Sequence, residues 1–250
     1  IHLFESNNIG WSWWPVKKSR TNNIFKVTTP ESYYQLLQAW ESGESLSAEQ
    51  TYHAVMEYSK AHRHENTTVA PDVIYALINN EDPTATKAYR HHGVDQWIPF
   101  VDYDLGRDGY AYEDRLSQNI HDEQGQWKVW NEGRKYRNDG VDIGGSAGGY
   151  FVSWTEPGEW LQYTIQVPQA GEFKLELETK GAASRLRMEI NDEIKNDEIA
   201  IKTGSENSPG EWATTTVNGI ELSTGELKIR FHIQEGAPDL RAFRLVSGLE

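Results

Sequence analysis

From Trp97 onward, apolar and polar positions alternate with a period of two. Phe173, Leu175 and Leu177 interleave with Lys174, Glu176 and Glu178. Leu186, Met188 and Ile190 interleave with Arg185, Arg187 and Glu189. Leu227, Ile229, Phe231 and Ile233 interleave with Lys228, Arg230 and His232. Successive side chains of a strand point to opposite faces, so each run predicts a strand with one apolar and one polar side, as in antiparallel sheets packed on one side. Turn-forming clusters separate the runs: Gln169-Ala170-Gly171, Lys180-Gly181, Asn191-Asp192, Ser208-Pro209-Gly210, Thr224-Gly225 and Gly236-Ala237-Pro238. Many short strands with regular turns predict a mainly β region over residues 97–250, an antiparallel β-sandwich of the jelly-roll kind.

The opening region, residues 1–93, follows a different period. Ile9-Gly10-Trp11-Ser12-Trp13-Trp14-Pro15 reads as a short aromatic strand that stops at Pro15, which cannot donate to a sheet ladder. Thr29 is a candidate cap, with Pro30 at the first helical position, and Tyr33, Leu36, Leu37 and Trp40 then recur at helical spacing until Gly43. A second helix is predicted from Ser47, with Tyr52, Val55 and Met56 on one face, and a third from Pro71 to Ile78, before Asp82-Pro83. The polar, turn-prone stretches Asn79-Asn80-Glu81-Asp82-Pro83-Thr84 and His91-His92-Gly93 place the boundary between the two regions near them.

Composition narrows the function. Asp plus Glu number 38 against 24 Lys plus Arg, a net charge of −14, which disfavours nucleic acid and anionic membrane as partners and suits a neutral ligand. Cysteine is absent, so disulfide and thiol chemistry are excluded. No apolar run is long enough to span a bilayer. The chain has no signal peptide and does not begin with Met, so a processed or truncated segment of a longer protein is expected. The 10 Trp and 12 Tyr divide between core packing and, for a few, stacking on a ligand. His62 and His64 bracket Arg63, and His91 adjoins His92. Neither pair has His-x-x-x-His spacing or a nearby Cys, so both read as solvated helix ends rather than metal ligands.

Within the β region, Gly140-Val141-Asp142-Ile143, Val152-Ser153-Trp154, Pro157-Gly158-Glu159-Trp160-Leu161-Gln162-Tyr163, Gly171-Glu172-Phe173, Gly210-Glu211-Trp212 and Ala237-Pro238-Asp239-Leu240-Arg241-Ala242-Phe243 occur in the order found in family 6 carbohydrate-binding modules, and the region resembles them throughout. The resemblance implies a cleft at the loop end of the sandwich in which two aromatic rings clamp a sugar and a polar residue fixes its hydroxyls. Trp154 and Trp212 match the rings, and Asp239 stands where the family usually has Asn. The chemistry suits a pyranose, whose apolar face lies flat on an indole, while a carboxylate supplies only acceptors to its hydroxyls. Each residue has a plainer reading: Trp154 and Trp212 as core, Asp239 as a turn residue after Pro238. Trp160 reads as core.

Three departures from the family accompany the match. Gly144 occupies the position of a frequent cleft Glu. The family's structural calcium has its acidic ligands at positions that here hold Pro99, Val101 and Arg241. Calcium needs several oxygens and an Arg head group repels it, so this calcium site is expected to be absent or displaced and no cofactor is assigned, with Asp102 or Asp104 expected to pair with Arg241 instead. The segment 105–139 is long and carries Tyr110, Tyr112, Trp127, Trp130 and Tyr136, either lining a second cleft on the sheet face or anchoring the loop.

Asn8-Ile9-Gly10-Trp11-Ser12-Trp13-Trp14-Pro15-Val16-Lys17 is similar to the eighth strand and following loop of glycoside hydrolase family 5 barrels. The resemblance implies that residues 1–93 are the α/β tail of a TIM barrel, that Trp14 stacks under a sugar beside the cleaved bond, and that an upstream catalytic barrel portion is a partner. Glycoside hydrolysis uses two carboxylates, about 5 Å or about 6.5–9.5 Å apart. In that family both lie upstream of the matched stretch, and Glu5 reads as a surface residue, so no catalytic residue is assigned in this chain. The sequence therefore predicts a non-catalytic module that binds a β-linked cell-wall polysaccharide or oligosaccharide for a secreted hydrolase. The alternative is part of an active retaining endo-β-glycanase whose catalytic glutamates lie upstream or in another chain.

Overall fold

The structure, a computed structural model, describes all residues except 20–22, 79–81, 118–119, 122–124, 129–130, 134, 147–148, 202–209 and 249–250. Residues 208–209 of the predicted turn 208–210 and residues 79–81 of the polar stretch 79–84 fall outside the described residues. The chain forms two compact units, Ile1–Asn80 and Glu81–Glu250.

The first unit contains α1 (His2–Ser6), β1 (Lys17–Ser19), β2 (Phe25–Val27), α2 (Glu31–Ser42), α3 (Ala48–Ala61), β3 (Thr67–Val69) and α4 (Pro71–Ile78). β2 is central in a three-stranded sheet, parallel to β1 and antiparallel to β3. The predicted strand over 9–14 is not formed. The sheet begins at Lys17, and Ile9, Trp13, Trp14 and Val16 are exposed, so no apolar layer covers them. α2 starts with Pro30, not Thr29, at the cap position and without a side-chain cap, and stops at Gly43 in the left-handed region (φ 74°). α3 opens with a capping box in which Ser47 and Gln50 satisfy each other's backbone N–H. The two helices meet through Ala54, which is buried, and through Tyr58, whose ring stacks on Tyr33 at 3.9 Å. That choice of face leaves Tyr52, Val55 and Met56 exposed.

The second unit comprises β4 (His92–Gly93), β5 (Ile98–Pro99), β6 (Tyr112–Glu113), β7 (Ile120–His121), β8 (Trp127–Lys128), β9 (Ile143–Ser146), β10 (Gly149–Val152), β11 (Trp160–Val167), β12 (Gly171–Lys180), β13 (Ser184–Ile190), β14 (Glu193–Ile201), β15 (Ala213–Leu222), β16 (Gly225–Glu235) and β17 (Asp239–Ser247). One sheet runs β15-β12-β17-β10-β9, with β5 beside β17. The other runs β14-β13-β16-β11-β4, with β6 beside β11, and β7 pairs with β8. Residues 82–96, placed before or at the edge of the sandwich by the sequence reading, pack with it: Lys87 exchanges backbone hydrogen bonds with Leu105, and β4 lies parallel to β11.

The alternating apolar positions face inward from both sheets, which makes this an antiparallel β-sandwich. Phe243 of one sheet meets Tyr163 and Phe231 of the other at 4.9 Å each, and Phe100, from the turn after β5, packs on all three rings. Burying each such side chain contributes about 1.5–3 kcal/mol. The Tyr163 hydroxyl donates to the Phe100 carbonyl at 2.7 Å, so its polar end is satisfied inside the core. Beside this core, Arg137 is buried, stacked on Tyr103 (3.9 Å) and Tyr89 (4.3 Å). It donates to the carbonyls of Tyr103 and Asp104 and to the carboxylate of Asp139. Arg137 thus clamps the long 105–139 connection to the turn before it.

Candidate functional site

The outer face of the first sheet carries the candidate site. Val152 and Leu240 are paired and point into the core, so Phe151, Ser153, Asp239 and Arg241 fall on the opposite side. Across the strand ends the register aligns Ser153, Asp239 and Lys180, with Trp212 immediately before the residue paired to Thr179. The Ser153 hydroxyl donates to Asp239 Oδ1 at 2.6 Å, and Lys180 Nζ lies 2.9 Å from Asp239 Oδ2. The Lys180 ammonium also sits 4.9 Å from the Phe151 ring and 5.1 Å from that of Trp212, and the Arg241 guanidinium lies 5.3 Å from Trp212. Phe151 meets Trp212 edge to face at 5.2 Å.

Trp154 leaves the strand with φ 52° and is 53% exposed. Its neighbours are fixed: Ser153 by Asp239, and Thr155 by a 2.8 Å hydrogen bond to the Pro238 carbonyl. A side chain at Gly133 would strike the Ile143 carbonyl at 1.9 Å and approach the Trp154 ring at 3.4 Å, so a glycine is required for that loop to lie beside the indole.

The structure therefore links Trp154, Asp239 and Trp212 through Ser153 and Lys180. Trp14, 88% exposed, belongs to the first unit. Asp239 is neither a plain turn residue nor a bare acceptor, because both of its oxygens already have protein partners. Phe151, Lys180 and Arg241 were missed. Alternation about the inward Val152 marks Phe151 as outward, whereas nothing local to Lys180 or Arg241 signals their place over Trp212. The Gly144 departure now has a physical reason: a Cβ there would lie 2.8 Å from the Phe151 ring, which fills the space a longer side chain would need.

Farther along the same face, Trp97, Pro99, Tyr136 and Tyr150 line a largely apolar hollow of about 330 Å³, with Glu178 and Arg241 at its polar side. Tyr136 packs on Tyr150 at 5.1 Å and donates its hydroxyl to the buried Asp102. Burial, then that carboxylate, raises the Tyr136 pKa, so the phenol stays protonated. Arg241 borders the hollow and lies by the Trp212 ring. Of the other loop aromatics, Tyr112 is buried against Tyr103 and anchors the loop, while Tyr110 is exposed. Trp130 falls outside the described residues, and only the backbone of Trp127 is described.

Beneath the Trp154 loop, Asp114, Asp142 and Glu159 surround a cavity of about 10 Å³. Burial, reinforced by neighbouring carboxylates, raises their pKa values to about 8 for Asp114, about 6 for Asp142 and about 7 for Glu159. Backbone N–H groups of Leu116, Glu132, Arg115 and Glu156 donate to them and oppose that rise.

The positions expected for calcium do not fit the ion. Pro99 and Val101 offer no side-chain oxygen, and Arg241 is a cation that pairs with Glu178 at 3.8 Å. The expected pairing of Asp102 or Asp104 with Arg241 is not observed. Asp102 instead lies by Arg90 (3.4 Å), His92 (3.7 Å) and the Tyr136 hydroxyl, and Asp104 accepts from Gln162 and Thr164. Among the described residues, no three His, Cys, Asp or Glu side chains are grouped to hold a metal. His62 ends α3 as expected, whereas His92 lies in a strand and is largely buried, with its pKa lowered chiefly by burial.

Comparison with known proteins defines the class. Residues 137–245 match the family model described as Carbohydrate binding module (family 35). With the sandwich fold, this makes the second unit similar to carbohydrate-binding modules, in agreement with the class read from the sequence, although the matching model carries family number 35 where the sequence reading named family 6. No curated protein matches. Among solved structures, CsCBM6-3 from Clostridium stercorarium in complex with cellobiose is 12% identical with a TM-score of 0.42, and the match covers 64% of this chain and 98% of that one. CBM6cm-2 from Cellvibrio mixtus lichenase 5A in complex with cellotriose is 17% identical with a TM-score of 0.41, covering 62% and 99%. A β-1,3-glucan binding CBM6 from Bacillus halodurans is 10% identical with a TM-score of 0.40, covering 63% and 100%.

Proposed function

We propose that the second unit binds a β-linked polysaccharide without cleaving it, and that it holds a secreted glycoside hydrolase against its substrate. The observation that carries the reading is the set of aromatic rings about the first sheet: Trp154, more than half exposed, Phe151 and Trp212 beside Lys180 and Arg241, and the Trp97 hollow. Open indoles offer flat apolar area at small entropic loss, which suits the C–H face of a pyranose. Trp154 serves as a stacking platform, and Trp97, over whose ring the Arg244 guanidinium lies at 4.6 Å, offers its remaining exposed surface as a second. Trp212, held between Phe151 and two cations, presents the donors of Lys180 and Arg241 to sugar hydroxyls.

Attachment to a hydrolase draws support from the first unit, where Trp14, Trp40, Tyr52, Val55 and Ile78 leave apolar surface exposed of the kind a further catalytic body covers. In this reading, Trp14 belongs to the substrate path of that body, whose catalytic carboxylates are not in this chain.

The test is a binding panel of cellulose, mixed-linkage glucan, β-1,3-glucan, xylan and agarose. Trp154→Ala and Trp97→Ala should each weaken binding by about 1–3 kcal/mol from lost apolar burial. Parent-like binding by both variants would overturn the assignment of this face. Turnover of any of these polysaccharides by residues 81–250 alone would overturn the non-catalytic reading.

A further inference from the structure

The loop that carries Trp154 rests on carboxyl groups. Ser153 and Thr155, the two neighbours of the indole, line the same cavity of about 10 Å³ as Asp114, Asp142 and Glu159. Asp114 and Glu159 are buried and Asp142 is half-buried. A cavity of that size takes about one water, too little to hydrate three anions. Two of the three acids anchor the chain around the indole. Glu159 Oε2 accepts from the Glu156 N–H at 2.8 Å, two residues beyond Trp154. Asp142 accepts from the Glu132 N–H through its carboxylate and from the Ser153 N–H through its carbonyl, the latter at 3.0 Å. Glu132 precedes Gly133, which lies beside the Trp154 ring. Asp114 shares the cavity and accepts from the Leu116 N–H at 2.9 Å.

No cation balances these acids. The other titratable groups around them are Asp108, which accepts from the Asp114 N–H, Glu113 on the cavity wall, Glu132 and Glu156, all acids. Arg115 pairs instead with the exposed Glu156 at 3.7 Å, and Lys180 is held by Asp239, the partner of the Ser153 hydroxyl. The rest of the cavity wall, from Val141, Val152, Leu161 and Ile233, is apolar. Burial first, and repulsion between the acids second, keep a proton on Asp114 up to about 8. Burial keeps one on Glu159 up to about 7, and Asp142 gives up its own at about 6.

We propose that the three carboxyls form a pH-operated latch on the Trp154 loop, which holds the indole in place for stacking while Asp114 is protonated and frees it once all three are ionised. With Asp114 neutral, Asp142 and Glu159 keep their backbone donors. Its ionisation sets a third anion beside two others without a counter-ion. The repulsion is relieved when an anchor releases Glu132 or Glu156 and reaches solvent. The indole then loses its fixed stem, and stacking must supply the entropy of ordering it again. The effect on binding rests on the reading of Trp154 as a stacking platform.

The latch is tested first without carbohydrate, by NMR titration of the full chain from about pH 5.5 to about pH 9. The Glu132 and Glu156 amides and the Trp154 indole N–H, assigned with Trp154→Phe, should share a step near pH 8. Asp114→Asn keeps the acceptor for Leu116 and should abolish that step. Glu159→Gln keeps the acceptor for Glu156 and should move the step to lower pH, because one repelling charge is gone; it serves as a second variant should the first fold poorly. Separate midpoints for the three signals, or a step unchanged in both variants, would overturn the latch. Affinity for the polysaccharide panel is then compared at about pH 6.5 and about pH 9. The parent should lose about tenfold and Asp114→Asn about twofold or less. Equal parent affinity at both pH values, with the loop step present, would overturn control of binding. No binding of any panel member at either pH would overturn the stacking reading, whereas the loop step by itself decides the latch, so the two failures are seen separately.

Discussion

Lys180 and Asp239 occupy paired positions on β12 and β17 and meet at 2.9 Å, which places the lysine ammonium between the rings of Phe151 and Trp212. The same carboxylate holds Ser153, the residue before Trp154. One acidic side chain therefore positions a cation on one side and the stem of an exposed indole on the other.

Asp239 should accordingly act on binding without touching the sugar. Asp239→Ala removes the partner of Lys180 and of the Ser153 hydroxyl, and a polysaccharide affinity loss of about 1–3 kcal/mol is expected. Asp239→Asn keeps the hydrogen bond from Ser153 and should recover part of that loss. Calorimetric titration of the three proteins checks the order, and an Asn variant no better than Ala would argue against the positioning role.

The contact between Gly144 and Phe151 should make the glycine position intolerant. Gly144→Glu drives a side chain into the ring and is expected to cost about 1–3 kcal/mol by overpacking. Combining it with Phe151→Ala should restore part of the stability, because the ring is what blocks the space. Urea unfolding of the single and double variants measures this.

Stability should fall as pH rises from about 6.5 to about 8. The folded values of about 7 for Glu159 and about 8 for Asp114 stand above the unfolded carboxylate range. Their protonated forms therefore favour the folded state at low pH, and that contribution is lost as pH rises through the folded values. Burial lowers the pKa values of His92 and His232 and gives the opposite slope below about 6.5, so the window from about 6.5 to about 8 isolates the acids. Asp114→Asn should flatten the decline of melting temperature across that window. An unchanged slope in the variant would remove Asp114 as its cause.

Arg137 should be the least replaceable charge in the second unit. Arg137→Met fills much of the same volume but leaves the buried end of the Asp139 network without its cation, at a cost of about 3–5 kcal/mol. Arg137→Lys keeps a charge but loses the planar stack on Tyr103 and Tyr89 and the forked donors. Both should unfold at lower denaturant than the parent, with Lys between Met and the parent.

The sequence by itself determined the strands of the alternating runs over 173–178, 185–190 and 227–233 and which side of each is buried. Leu175, Leu177, Leu186, Met188, Ile229 and Phe231 all lie inward as their period of two requires, because a strand offers no other way to hide alternate apolar side chains. It also determined the capping of α3 by Ser47 and its Gln50 partner, and the stop of α2 at Gly43, since both depend on groups within a few residues of each other. It identified Trp154, Trp212 and Asp239 as residues to watch but not what each one meets. Only the tertiary structure decided that Ser153 and Asp239, 86 positions apart, share a hydrogen bond, that Lys180 lies over Trp212, and that Phe151 closes the space at Gly144. It alone turned Tyr52, Val55 and Met56 of α3 outward and left residues 9–14 without a strand. The physical reason is one of range: local pattern fixes the direction of a side chain relative to its own backbone, whereas its partners depend on the order in which strands are laid side by side.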